Sequence, residues 1–128
     1  MSFHFGVTSE RPFAEVMEST RAALADQGFG IITEIDMAAT LQTKLGVTTA
    51  PYVILGACNP ALAHEATSAV PEVGVLLPCN VVVREIDDAV RVDFMDPAAV
   101  MSMIDDPPVG SVAEKVKQRL EAVRDSVA

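Results

Sequence analysis

Tryptophan is absent from this sequence, tyrosine occurs once, and lysine and arginine together supply only nine of its 128 residues. So few aromatic rings leave little material for base stacking or for an aromatic cage around a cation. Eighteen Asp and Glu set against those nine cations give a formal net charge of −9, which repels phosphate backbones and anionic lipid surfaces alike. No nucleic-acid partner and no membrane partner is expected. Cysteine is almost as scarce: Cys58 and Cys79 are the only two, too few for a secreted disulfide framework and without the C-x-x-C spacing of a redox or zinc motif. Apolar runs reach only strand length, short of the ~18 residues of a spanning helix. The opening Met1-Ser2-Phe3-His4-Phe5 lacks the basic and apolar regions of a secretion signal. The expected location is the cytoplasm, with reduced thiols.

What is present is an ordinary globular composition, 50% apolar and 21% charged, in a length that suits one core and one domain over residues 1–128. Phe3 to Val7 reads as a first strand. Ser9 is expected to cap a helix with Pro12 in its first turn, carrying Phe13, Val16, Met17 and Leu24 at helical spacing until Gly28 stops it. Phe29, Ile31 and Ile35 alternate with Gly30, Ile32 and Glu34, the pattern of a half-buried strand. Asp36 then caps a short helix bearing Met37, Leu41 and Leu45 and stopped by Gly46.

Pro51 to Ala57 is apolar on both faces and predicts a buried strand. Asn59-Pro60 is a cap followed by a proline that forfeits no needed donor, so a helix to about Ala69 follows. Val75-Leu76-Leu77, Pro78 and Cys79 to Val83 predict one strand bent at the proline, joined through Asp87-Asp88-Ala89 to an antiparallel partner holding Val90, Val92 and Phe94. Asp96-Pro97 starts a short helix. Asp105 to Gly110 is expected as a hinge, ahead of an amphipathic helix capped by Ser111 with Glu114 and carrying Val116, Leu120 and Val123. Phe13, Val16, Ile31, Leu41, Ile54, Val81, Val83, Val92 and Leu120 are the expected core.

The segments Ile54-Leu55-Gly56-Ala57-Cys58-Asn59-Pro60 and Gly74-Val75-Leu76-Leu77-Pro78-Cys79-Asn80-Val81-Val82-Val83 together resemble the domain of unknown function 302 family of small bacterial and archaeal proteins. Gly28-Phe29-Gly30 leading into Thr33-Glu34-Ile35-Asp36, the Leu45-Gly46 stop and Asp96-Pro97 fit the same pattern. The resemblance implies a two-layer α+β fold, with helices on one side of a mostly antiparallel sheet and an architecture like that of the TATA-binding protein. It also implies a homodimer, and it implies no reaction. DNA binding does not follow from that fold analogy, given the acidic charge.

Two Cys-Asn pairs carry what chemistry the sequence offers. Cys58 sits where a buried strand gives way to a capped helix, beside the positive end of its dipole, a setting that lowers thiol pKa values and suits nucleophiles and soft ligands. An inert packing thiol is the commoner fate of free cysteine. Should the strand holding Cys79 lie beside the one ending at Cys58, Cys58, Asn59, Cys79 and Asn80 would converge on one ligand site, with helix-start amides available to an anion. The sulfur pair with His64 could hold a soft or borderline metal ion, but His64, six residues past Cys58, reads as a surface residue and His4 as structural, and no metal site is assigned. No motif identifies a cofactor or a catalytic residue. The leading reading is a homodimeric binding module for a small anionic or thiol-reactive ligand. A thiol enzyme or redox sensor using Cys58 and Cys79, and a structural or interaction module with no ligand, are the alternatives.

Overall fold

In the computed structural model, which describes residues 2–128, five strands form one antiparallel sheet in the order β1-β5-β4-β3-β2, and helices pack on one side of it. Met1, which opens the segment read for a secretion signal, lies outside the described residues. The elements run β1 (His4–Ser9), α1 (Phe13–Asp26), β2 (Gly30–Asp36), α2 (Met37–Leu45), β3 (Tyr52–Cys58), α3 (Pro60–Ala69), a short 3-10 helix (Pro71–Leu76), β4 (Cys79–Ile86), β5 (Ala89–Met95), α4 (Pro97–Met101) and α5 (Pro107–Val127). Among the described residues no helix is long and apolar enough to cross a membrane.

Side chains alternate across a strand, so only one face of the sheet can serve the core. That face carries Val53, Leu55 and Ala57 of β3, Cys79, Val81 and Val83 of β4, and Val90, Val92 and Phe94 of β5, all buried. The pairings Leu55↔Val81 and Val81↔Phe94 place these side chains in rows across the strands. Against them lie Val16 and Leu24 of α1, Leu62 and Ala66 of α3, and the stripe Val109, Val112, Val116, Leu120, Val123, Val127 of α5, in one contiguous cluster. Ile54 was expected in the core but lies between two inward residues, so it points to the open face and is only half-buried. Phe13, Ile31 and Leu41 are likewise partly covered rather than buried.

Helix boundaries follow the caps, with three departures from the sequence reading. Asp36, Asn59 and Asp96 accept hydrogen bonds from the amides of Ala39, Leu62 and Ala99 at 2.9, 3.2 and 3.2 Å, and Gly28 and Gly46 take the left-handed φ values of +82° and +68° that stop α1 and α2. Ser9, however, stays in β1 and its hydroxyl accepts from the Arg11 amide, so α1 begins only after Pro12. The expected bent strand through Val75 and Leu76 is instead the 3-10 helix, and β4 begins at Cys79 beyond the cis Leu77–Pro78 bond. The expected hinge before Gly110 is the first turn of α5, because Asp106 accepts from the Val109 amide and prolines are tolerated at helical first positions. Ser111 and Glu114 are therefore interior to the helix rather than its cap.

The β4–β5 turn is tighter than expected. Ala89 pairs with Ile86, leaving Asp87 and Asp88 as a two-residue loop, with Asp87 at φ +52°. At the opposite edge β2 carries a register shift between Ile31 and Thr33 and has no buried residue, and α2 has none either.

Leu120 is fully buried where α5 meets the sheet. Leu120→Ala should therefore cost about 2–5 kcal/mol in urea unfolding, whereas Val75→Ser, at a position 87% exposed, should stay within about 0.5 kcal/mol.

Candidate functional site

The last residues of β3 and the first of β4 are neighbours, since Ala57 pairs with Cys79 and Gly56 with Asn80. Cys58 and Cys79 consequently both lie at one end of the sheet, Cys79 on the core face beside Ala57 and Cys58 one residue beyond Ala57. There α3, α4 and α5 close over the core face without filling the space completely, and a cavity of about 40 Å³ remains. Cys58, Asn59, Cys79, Leu62, Met101 and Val112 are among its walls. A water needs about 10–15 Å³ of such volume, so the space suits an occupant of a few heavy atoms. Both thiols are free, Cys58 half-buried and Cys79 buried.

Asn59 is buried and its side-chain oxygen accepts the Leu62 amide. Two of the helix-start amides, those of Leu62 and Ala63, are thus already bonded to Asn59. The side-chain nitrogen of Asn59 lies against Gly28, where a β-carbon would approach it to 3.0 Å; the left-handed glycine that ends α1 also makes room for the residue that begins α3. The lid over the cavity is fixed from outside: Asp96, the cap of α4, pairs with Lys117 of α5 at 3.1 Å, and that hydrogen bond raises the lysine's pKa.

Burial dominates the chemistry of Cys79. Loss of solvent pushes its thiol up from 9.0 to about 12, with the nearby Cys58 adding to the rise, because a thiolate in apolar surroundings lacks the hydration that stabilises its charge. Cys79 is therefore a thiol at neutral pH in the absence of a bound cation.

Three of the four residues singled out from the sequence, Cys58, Asn59 and Cys79, wall this cavity; Asn80 does not. Adjacent strand residues point to opposite faces, so when Cys79 enters the core Asn80 must leave it. Asn80 lines a broad depression of about 470 Å³ on the open face, with Phe3, Tyr52 and Arg84. At its centre Asp93 accepts from Arg91 Nε at 3.0 Å and lies 3.2 Å from His4 Nδ1 and 3.8 Å from Arg84. His4 thus joins this cluster through a side-chain hydrogen bond to Asp93. His64 is exposed on α3 and contributes to neither concavity. Among the described residues no group of three or more His, Cys, Asp or Glu is placed to hold a metal ion.

Sequence reasoning missed Met101, which reaches the cavity from α4, and the Arg84–Asp93–Arg91 cluster. Nothing in the spacing links Met101 to the cysteines. The cluster was readable in principle, because a two-residue loop at Asp87-Asp88 fixes the register that sets Val82 opposite Asp93 and Arg84 opposite Arg91.

The pattern of the family described as "Domain of unknown function DUF302" matches residues 5–127. The chain belongs to that family. A crystal structure of an uncharacterized conserved DUF302 protein from Bacillus stearothermophilus is similar to it over 100% of both chains, at 28% identity and a TM-score of 0.93. No curated protein matches. The DUF302 fold thus extends over the whole chain, including the strand ends that bring the cysteines together.

The Cys79 thiol makes stability depend on alkaline pH. Between about pH 9 and 12 the unfolded chain gives up this proton while the folded chain keeps it, so the folded state binds more protons and stability falls as pH rises, by up to about 1.4 kcal/mol per pH unit. Below that window the group contributes no slope. Denaturant unfolding of the protein and of Cys79→Ala, compared from about pH 8 to 11, should show a steeper alkaline decline in the parent; parallel curves would contradict it.

Proposed function

We propose that this DUF302 domain is a homodimeric binding module that receives a small, uncharged, thiol-reactive ligand in the cavity bounded by Cys58, Asn59 and Cys79. The observation that carries this reading is that both cysteines of the chain wall one small apolar space. Core packing is normally dense, and a residual void at the mouth of a helix layer, bounded by the buried Cys79 and by Cys58, favours a receptor over a plain core. An anion is the weaker choice of ligand, since no cationic side chain is among the cavity walls and the Leu62 amide is occupied. Asn80 takes no part in this site and belongs with the open face.

The dimer is supported by the edge of the sheet. A helix and strand without a buried residue are poorly stabilised by their own chain, because helical stability comes mainly from packing an apolar face. Leu45 is 70% and Ile32 62% exposed there, and Ile35 is exposed beside them. β2 also presents an unpaired edge, the usual template for self-association. A second copy laid on β2 and α2 would cover these residues.

A thiol redox reading ranks second, supported by the partial exposure of Cys58 beside a buried partner. With a peroxide as oxidant, the Cys58 thiol would take one oxygen and release water, and Cys79 would then displace the resulting hydroxyl as a second water to close a disulfide. That second step needs a thiolate, and a thiol with a pKa of about 12 supplies only ~10⁻⁵ of itself in that form at pH 7.

Iodoacetamide applied to the native protein should alkylate Cys58 and leave Cys79 unmodified, with both reacting after denaturation; peptide mass analysis reads the result. Equal inertness of both thiols would remove the receptor reading, and rapid disulfide formation with peroxide would promote the redox one. Light scattering at micromolar concentration should give a dimer mass, and Leu45→Glu should shift it to monomer. A monomeric parent would end the dimer reading.

A further inference from the structure

We propose that the open face of the sheet binds an aromatic monocarboxylate in the depression beside Arg84. This site is separate from the cysteine-bounded cavity and stands whether or not that cavity receives a ligand. Its volume of about 470 Å³ falls in the range of small-ligand sites, ~300–1,000 Å³. Strand register explains why a hollow forms there. Tyr52, Arg84, Arg91 and Thr8 make one row across the strands, and Ile54, Val82, Asp93 and Gly6 make the next. The space that a β-carbon on Gly6 would take is already occupied, with Asp93 Oδ1 2.6 Å and Arg91 Nη2 3.0 Å from that point. The Arg91–Asp93 pair therefore leans over β1, and the half-buried Val82 is left as an apolar floor.

Charge at this hollow is unbalanced. Arg84 and Arg91 stand directly opposite each other, an arrangement of like charges that costs a strand pair stability. Asp93 serves Arg91 first: Nε and Nη2 of that arginine both lie 3.0 Å from Asp93 Oδ1, while its Nη1 donates to Thr8 at 3.3 Å. The same carboxylate oxygen meets His4 Nδ1 at 3.2 Å. Arg84 approaches Asp93 only to 3.8 Å, beyond hydrogen-bond length. Two guanidinium groups thus share one carboxylate. A ligand carboxylate supplies the second, and the planar fork of Arg84 suits it in bidentate geometry. A monoanion fits better than a phosphate dianion, because Asp93 lies beside Arg84 and the chain carries −9 overall. The body of the ligand has its own surroundings. Phe3, packed on His4 with ring centroids 4.7 Å apart, borders the hollow together with Tyr52 and Met95, and rings and thioethers both pack well against an aromatic ring. Asn80, turned to this face by strand parity, adds an uncharged donor and acceptor.

Tyr52 is the only tyrosine and tryptophan is absent, so the intrinsic fluorescence of the full chain reports on this depression alone. Titration with phenylacetate should change it saturably, with one equivalent bound per chain. Phenylacetamide, which keeps the ring and loses the charge, should bind at least about tenfold more weakly, the loss expected for a charge-assisted contact. Phenyl phosphate, a dianion, should also bind more weakly than phenylacetate. Arg84→Gln should weaken phenylacetate by about tenfold or more, whereas Arg21→Gln, which removes a cation paired with Glu34 in the helix layer, should leave it unchanged. Arg84→Gln relieves the repulsion with Arg91 and is expected to fold, which circular dichroism checks; the comparison of acid and amide on the parent chain needs no variant. A Tyr52 emission that no probe changes overturns the proposal, as it would if a second copy covered this face. Equal binding of the amide or the phosphate, an affinity indifferent to Arg84→Gln, or an equal loss in Arg21→Gln overturns it too.

Discussion

Burial of one face of the antiparallel sheet beneath α5 is the constraint on which the remaining structure depends. α5 packs against α1, α3, α4 and β1, and its inward stripe from Val109 to Val127 spans the length of the sheet. The other helices are positioned by that contact. Arg119 of α5 donates to the carbonyl of Gln27 at 3.1 Å, fixing the turn after α1, and Lys117 holds the cap of α4. Because each strand alternates, covering one face commits every second residue to the other, and this parity decides which polar side chains can ever meet.

The cavity arises where that covering is least complete. At the sheet end the wall is built from short side chains, Ala57, Ala63, Ala66 and Ala113, beside the sulfur residues. Small residues let α3 and α5 approach the strands closely but cannot fill the corner between them. The same burial that stabilises the fold suppresses ionisation of Cys79, while Cys58 is only half-buried.

The opposite edge shows a different balance. β2 and α2 add backbone pairing to β3 and one ion pair, Arg21 with Glu34, but bury no side chain. Of their apolar residues, Ile31 packs partly against the core and Met37 and Leu41 are half-covered, whereas Ile32, Ile35 and Leu45 are exposed. Together with the open sheet face, where Asp93 gathers His4, Arg84 and Arg91, this leaves two surfaces of unlike character: an apolar edge suited to a second copy and a charged centre held by its own ion pairs.

Local signals carried a great deal. Asp36, Asn59 and Asp96 mark helix starts because a short polar side chain can satisfy an amide that has no helical partner, and Gly28 and Gly46 mark stops because only a residue without a β-carbon enters the left-handed region freely. Those rules need no tertiary information, and the α+β class, the DUF302 resemblance and the cysteine pair were all legible through them. Ser9 and Ser111 obeyed the same rules and were wrong, since β1 pairing with β5 claimed the first and Asp106, reaching Val109, pre-empted the second. The 3-10 helix through Val75 was hidden because its apolar residues imitate a strand. Facing was harder still: Val53 and Ile54 are chemically alike, and only the register with β4 tells which one enters the core. The separation of Cys79 from Asn80, and the arrival of Met101 at the cavity that Cys79 lines, were decided by strand parity and by the packing of α4 on α5, contacts between residues far apart in the chain that no local pattern encodes.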